Sequence, residues 1–273
     1  MFSEIVLFDL DFFDDSADRL GVNPVAIVQD YAVTLVLYYL YRNGMVRDFV
    51  FKGGTSIKKI YFPDARFSVD LDFDSKRFME SPAKYAADFE RKLNKLVNSV
   101  LGSVYVYAIE RIETSSWLFF NVRYRVFNYD ELTRVDIDYG PARSPFTKRA
   151  VHVEPYINDD FSVDVYSIET ILEQKVIALI DRNTARDLWD IYFLHVIKGV
   201  EPKRPLKEII DEYNKENNTD FDLRKILFIV DEIISERDYM ILSEIYIPSS
   251  LRENFQDVRR GVRGFIEEYW HIH

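Results

Sequence analysis

"FKGGTSIKKIYFPDARFSVDLDFDS" (residues 51–75) joins two adjacent glycines to three aspartates at every second position. A glycine pair lets the backbone turn sharply or approach a partner closely. It follows "DFVF" (48–51), a short buried-strand pattern, and precedes "TSIKKIYF", which reads as one or two helical turns. Strand, Gly53-Gly54-Thr55-Ser56, then helix would present backbone N–H groups and two hydroxyls where phosphate binds well. Taken alone, the same residues fit an ordinary strand-to-helix turn. No G-x-x-x-x-G-K-[ST] or G-x-G-x-x-G string occurs, which excludes a P-loop and a dinucleotide fingerprint. Asp70, Asp72 and Asp74 alternate with Val69, Leu71 and Phe73, so 68–74 predicts a half-buried strand with its carboxylates on one face. Such carboxylates repel one another unless they are solvated or neutralised. A divalent cation held by one or two carboxylates plus substrate phosphates resolves the conflict. A solvated strand face resolves it equally well.

A second acidic pair, Asp136 and Asp138 in "RVDIDYG", also alternates with apolar residues. A neighbouring strand would bring one of these beside Asp70 and Asp72. Three converging carboxylates suit a two-metal phosphoryl-transfer site, in which one ion activates the attacking hydroxyl and the other holds the triphosphate.

The chain has 273 residues, room for one large domain or two modest ones. Hydrophobic residues make up 48% and charged residues 30%, a globular composition. The absence of cysteine excludes disulfides, zinc–thiolate sites and cysteine nucleophiles. Acidic residues exceed basic ones by 46 − 35 = 11, which argues against a surface coated for general nucleic-acid binding. The start, "MFSEIVLFDLDFFDD", is acidic and does not read as a secretory signal. The longest apolar run, "VAIVQDYAVTLVLYYLYRNG", is broken by Gln29 and Asp30 and short for a membrane span. The expectation is a cytoplasmic protein without membrane contact.

Asn23-Pro24 predicts a helix to about Arg42, stopped by Gly44, and Ser81-Pro82 predicts another reaching about Leu101. "VYVYAIE", "SWLFFNVRYRVF" and "TRVDIDYG" read as antiparallel strands, followed by a loop containing Pro141, Arg143, Pro145, Lys148 and Arg149. From about Ile168 the periodicity is helical almost to the end. The pattern predicts an α+β fold: an α/β domain over 1–165 with a mixed or antiparallel sheet flanked by helices, then a helical domain over 166–273. In the latter, Lys175 and Arg182 lie seven apart on one helix and share a face. That face suits either contact with a triphosphate or a solvated stripe. Thr184-Ala185-Arg186-Asp187 fits a capping-box variant with Asp187 at its third position.

A glycine-glycine/serine turn, D-h-D on one strand and h-D-h on another resemble the nucleotidyltransferase β fold. More narrowly, "FKGGTS…ARFSVDLDF" is similar to the AbiEii/MenT-like nucleotidyltransferase toxins, which carry GGT/S…R-[FY]-S-x-D-[IL]-D. "QDYAVTLVL" (29–37) resembles that family's helix ahead of the glycine strand, and "ILEQKVIALIDRNTARDLWDIYFL" (171–194) its K-x-x-A-L-x-x-R…R-D-h-x-D-h segment. The resemblance covers most of residues 25–195. It implies a metal-dependent transfer of a nucleoside monophosphate from an NTP to an acceptor hydroxyl. Asp70, Asp72 and Asp136 would hold Mg²⁺ or Mn²⁺, with Asp136 helping to deprotonate the acceptor. Gly53, Gly54, Thr55 and Ser56 would cradle the β/γ phosphates, with Arg66 and Ser68 supporting that loop. Lys175 would neutralise charge on the leaving pyrophosphate, and Asp187 would have a functional role.

The resemblance further implies an RNA acceptor such as the tRNA 3′ end, and a toxin of a toxin–antitoxin or phage-defence pair with a cognate antitoxin. A non-catalytic nucleotide-binding regulator and an enzyme that modifies a protein remain as alternatives. Arg143, Lys148 and Arg149, and Arg259, Arg260 and Arg263, are candidate RNA-backbone contacts or equally a solvated surface.

Overall fold

The computed structural model describes residues 3–78, 82–114 and 116–271. Ser81, expected as a helix cap, lies outside them. The chain divides into two compact units, Met1–Tyr166 and Ser167–His273.

In the first unit the helix α1 (Leu10–Leu20) starts at Asp9, whose side chain accepts the Phe12 N–H, and ends at Gly21. The helix α2 (Pro24–Arg42) has Pro24 in its first turn, and the side chain of Asn23 accepts the Val25 N–H at 3.0 Å. It is apolar on all sides because it is buried on all sides. Among the described residues it alone is long and apolar enough to cross a membrane by length and composition, yet 83% of that window is buried in the protein. Its one acidic residue, Asp30, is neutralised internally by Lys59 at 2.8 Å.

The remaining elements of this unit are β1 (Phe49–Lys52), α3 (Gly53–Ser56) running into a π-helical turn over Ile57–Tyr61, β2 (Leu71–Ser75), α4 (Pro82–Leu93), β3 (Ser99–Leu101), β4 (Val104–Glu113), β5 (Trp117–Val126), β6 (Tyr129–Pro141), β7 (Phe146–Ala150) and β8 (Ser162–Tyr166). The helix expected to reach about Leu101 stops at Leu93. Asn98 (φ 60°) and Gly102 (φ 58°) turn the chain instead into the β3–β4 hairpin. The segment after Pro141, expected as a loop, contains the strand β7.

Among the described residues the eight strands form one sheet in the order β3-β4-β5-β6-β2-β1-β8-β7. Neighbours are antiparallel except β2–β6 and β1–β8. Period-2 alternation gives the sheet two different faces. Phe51 and Phe73 pack with ring centroids 5.2 Å apart, and Phe89 of α4 stacks on Phe120 at 5.1 Å, on the apolar face. The carboxylates of β2 and β6 fall on the other face.

The second unit is helical: α5 (Ile168–Arg182), α6 (Ala185–Tyr192) continuing as a π-turn to Ile197, α7 (Leu206–Asn217), α8 (Leu223–Phe228) continuing as a π-turn to Ile233, α9 (Glu236–Tyr246) and α10 (Phe255–Tyr269). Ser167 caps α5, and Asn183 ends it in the left-handed conformation (φ 52°). Trp189, Tyr239 and Phe255 form a run of ring contacts in the core, at 6.3 Å and 5.4 Å.

Candidate active site

The glycine pair turns the chain directly from β1 into α3. Gly53 adopts φ 77°, and a Cβ there would lie 2.1 Å from Oδ2 of Asp72. Only glycine therefore satisfies both the backbone and the close approach of this carboxylate. A Cβ on Gly54 would lie 2.9 Å from Oγ of Ser68 and 3.0 Å from Nη2 of Arg66. The four residues that the sequence joins as a turn and an R-F-S string thus interlock in space. The Thr55 hydroxyl donates to the carbonyl of Asp70, and the Ser56 hydroxyl donates to the carbonyl of Gly53 at 2.7 Å. Both hydroxyls brace the turn. Arg66 is buried and donates to the carbonyl of Phe67. Its loop is held from below by the Lys58 ammonium, which donates to the carbonyls of Pro63 (2.7 Å) and Ala65 (3.0 Å).

The two acidic strands lie side by side. In the parallel β2–β6 ladder, Asp72 pairs with Asp136 and Asp74 with Asp138. Asp70 immediately precedes β2 rather than belonging to it. Asp136 is almost fully buried. Burial pushes its carboxyl up, and the charge of Asp72 adds to this. Arg134 opposes the rise, Asp70 adds to it more weakly, and the net value is about 7. The Arg134 guanidinium binds Oδ2 of Asp136, with Nε at 2.8 Å and Nη2 at 2.6 Å. Oδ1 of Asp136 is buried without a hydrogen-bond partner. Asp74 and Asp138 are held differently. Asp74 pairs with Lys52 and accepts the Tyr166 hydroxyl at 2.7 Å, while Asp138 accepts the Gly140 N–H at 2.8 Å.

Among the described residues, no three His, Asp or Glu side chains are gathered closely enough to form a ready cage for a metal ion. The donor set nevertheless fits a hard divalent cation. It offers carboxylate oxygens only, two of them in register, and Asp136 leaves one buried oxygen unsatisfied. Mg²⁺ in particular is held by one or two carboxylates together with substrate phosphates rather than by a protein cage.

Lys175 and Asp187 come together in the helical unit. Lys175 is buried, and its ammonium lies 3.1 Å from Asp187 and 2.7 Å from Asp190. Arg182 reaches Asp187 at 2.9 Å, and the Thr184 hydroxyl donates to its other oxygen at 2.6 Å. Burial alone would raise the Asp187 carboxyl, but Lys175, Arg182 and Thr184 outweigh it and hold it at about 2. Thr184 also accepts the Asp187 N–H as the cap of α6. As placed here, then, Lys175 is the centre of an ion-pair network rather than one cation of an open stripe.

Sequence reasoning singled out neither Arg134 nor Asp190. Arg134 lies two residues before Asp136 in the same alternation, and Asp190 three residues after Asp187 on the same helix. Both spacings are therefore available signals. Of the basic residues offered as RNA contacts, Lys148 and Arg149 lie on the exposed strand β7, where Arg149 stacks 5.0 Å over Tyr61. Arg143 precedes that strand. Arg259 and Arg263 are tied to Asp231, and Arg260 lies 2.8 Å from Asp257.

A family described as "Nucleotidyl transferase AbiEii toxin, Type IV TA system" matches residues 36–268. The chain belongs to the AbiEii family. The match runs well past residue 195, where the motif resemblance ends, and so takes in most of the helical unit. Two solved structures share the fold. JHP933 from Helicobacter pylori is 18% identical with a TM-score of 0.55, covering 91% of this chain and 93% of that one. A candidate nucleotidyltransferase from H. pylori is 17% identical with a TM-score of 0.55, covering 91% and 96%. No curated protein matches the sequence. This AbiEii-family chain is a nucleotidyltransferase.

Proposed function

We propose that the protein transfers a nucleoside monophosphate from an NTP to a hydroxyl of RNA, such as the 3′ end of a tRNA, with Mg²⁺ or Mn²⁺ as cofactor. The acceptor oxygen attacks the α-phosphorus, the α–β phosphoanhydride bond breaks, and pyrophosphate leaves. Asp70, Asp72 and Asp136 are the residues that would hold the divalent ion, which when bound neutralises phosphate charge and lowers the pKa of the attacking hydroxyl. Asp136 takes the hydroxyl proton. The braced turn of Gly53, Gly54, Thr55 and Ser56, backed by Arg66 and Ser68, receives the β/γ phosphates. By the family resemblance Lys175 is assigned to the charge of the leaving group, and Asp187, paired with its ammonium, would hold Lys175 in place. The role is that of a toxin in a cytoplasmic toxin–antitoxin or phage-defence pair whose antitoxin counters it, in keeping with the family's description.

The observation that carries this reading is the pairing of Asp72 with Asp136 across β2 and β6, beside a glycine turn with no room for a side chain. Phosphates do not enter a group of carboxylates without a cation between them. NTP should therefore raise the thermal unfolding temperature in Mg²⁺ or Mn²⁺ and not in EDTA. Stabilisation by NTP that is the same in EDTA overturns the site as drawn.

A further inference from the structure

The strand β5 reads "WLFFNVRYRV", and its two faces differ in kind. Leu118, Phe120, Val122, Tyr124 and Val126 are fully buried in the core. The alternate residues are Trp117, Phe119, Asn121, Arg123 and Arg125: two large rings, an amide and two cations in sequence. Two large rings side by side on the part-exposed face of one strand make a local apolar patch rather than scattered single residues.

Register places the rings at the active site. In the antiparallel β5–β6 ladder, Phe119 stands opposite Asp136 and Trp117 opposite Asp138, on the face that carries the carboxylates. Both rings are part-exposed and parallel, with centroids 6.0 Å apart and planes 3° apart. The Arg134 guanidinium that pairs with Asp136 also stands 5.3 Å over Phe119. Lys52, the partner of Asp74, stands 5.0 Å over Trp117. Each ring is therefore coupled through one cation to one carboxylate.

Strand order then says which substrate these rings meet. The glycine turn leaves β1, and the sheet continues through β2 (Asp72), β6 (Asp136) and β5 (Phe119). The rings therefore lie on the side of Asp136 away from Gly53. Attacking and leaving oxygens lie roughly in line on opposite sides of the transferred phosphorus. If pyrophosphate leaves toward Gly53, the acceptor arrives from β5. At about 3.4 Å per residue, the row from Phe119, opposite Asp136, to Arg125 extends roughly 20 Å away from that carboxylate.

We propose that Trp117 and Phe119 stack the unpaired terminal nucleobases of the acceptor RNA, and that Asn121, Arg123 and Arg125 carry its backbone away along β5. Aromatic faces backed by cations bind single strands because every base has a π-face and every linkage a charge. Duplex ends hide those faces, so the acceptor is single-stranded at its end. The cations are available. Arg123 lies 3.7 Å from Glu110 and Arg125 lies 2.8 Å from Asp130, both in half-exposed surface pairs that a phosphate can replace. The basic strand β7 is less suited, because β2, β1 and β8 separate it from β6. This inference rests on the RNA-acceptor reading above.

The test is binding of a fluorescent single-stranded RNA by the full-length protein, read without turnover, together with metal-dependent stabilisation by NTP. Trp117→Leu and Phe119→Leu should each weaken RNA binding by roughly tenfold, the range of one lost base–aromatic stack. Trp117→Phe and Phe119→Tyr should keep most of it, and stabilisation by NTP should be unchanged in all four. A blunt duplex of the same sequence should bind more weakly. The inference fails if the leucine variants bind RNA as tightly as the parent. It also fails if they lose NTP stabilisation, which would make the rings structural. A parent that binds no RNA but labels a protein overturns this inference while leaving nucleotidyl transfer intact. Ring-dependent RNA binding without any labelling would overturn both the acceptor role of this face and the RNA-transfer reading.

Discussion

A Cβ on Gly53 would lie 2.1 Å from Oδ2 of Asp72, in a backbone conformation (φ 77°) that L side chains rarely adopt. The turn that would receive phosphate and the carboxylate that would hold the ion are therefore one interlocked unit. Gly53→Ala should cost about 1–2 kcal/mol in backbone strain alone. It should also displace Asp72, so that NTP no longer stabilises the protein. Chemical denaturation with and without Mg²⁺–NTP measures both effects, and an alanine variant with parental stability and NTP response would separate the turn from the carboxylate.

Asp72→Asn removes one of the charges that raise the Asp136 carboxyl. The metal-free variant should be as stable as the parent or more stable, because a repelling carboxylate is gone. Transfer should fall to background. Thermal unfolding in EDTA, paired with a transfer assay, checks this. Strong destabilisation would show that Asp72 is a structural residue.

The Asp136 carboxyl, at about 7 in the folded protein, lies above its unfolded value of about 3.9. Between those values the folded state binds more protons than the unfolded state, so metal-free stability should fall as pH rises from about 4 through 7. The cost is on the order of a few kcal/mol if Asp136 titrates alone. Metal binding should tighten over the same window and release up to about one proton per ion near pH 6. Titration calorimetry of Mn²⁺ in two buffers of different ionisation enthalpy measures the release. Metal affinity independent of pH from 5 to 8 would remove Asp136 from the ligand set.

Lys175→Ala leaves Asp187 and Asp190 buried without their common cation. Breaking a buried pair in this way costs about 3–5 kcal/mol, whereas Arg182 has a half-exposed side chain and its loss should cost about 1 kcal/mol or less. Lys175→Ala should also lose far more activity than Arg182→Ala. Stability and transfer must be measured on the same samples, at a temperature where both variants are folded. Equal, small effects on both readouts would return this helix face to solvent.

How far the sequence foretold the structure depended on whether a pattern was local. The helix α2 was legible from Asn23, Pro24 and its apolar run, and α5 from unbroken 3.6-residue periodicity. The alternation of Asp70, Asp72 and Asp136 was legible too, although only the β2–β6 register shows that Asp72 and Asp136 are neighbours. The strand β7 escaped because all five of its residues are exposed, so "FTKRA" has no apolar face to alternate. The helix α4 was read too long because "NKLVNSVL" keeps its apolar spacing, whereas the chain tightens into a 3-10 turn over Asn94–Leu96, becomes extended at Val97 and turns at Asn98 with positive φ. The ion pairs of Lys175 were not legible in its own helix, because Asp187 and Asp190, which hold it, come from the next one. The exposed face of β5 was visible as alternation, but its meaning depended on the strand lying beside Asp136.

The central claim is that this carboxylate pair catalyses metal-dependent nucleotidyl transfer to RNA. It is tested most directly by incubating the protein with each α-³²P-labelled NTP and total RNA, in Mg²⁺ and in EDTA, beside Asp72→Asn and Asp136→Asn. The account predicts label at RNA ends with the parent in Mg²⁺, and none in EDTA or with either variant. RNA labelling that persists in EDTA, or in both folded variants, would contradict it.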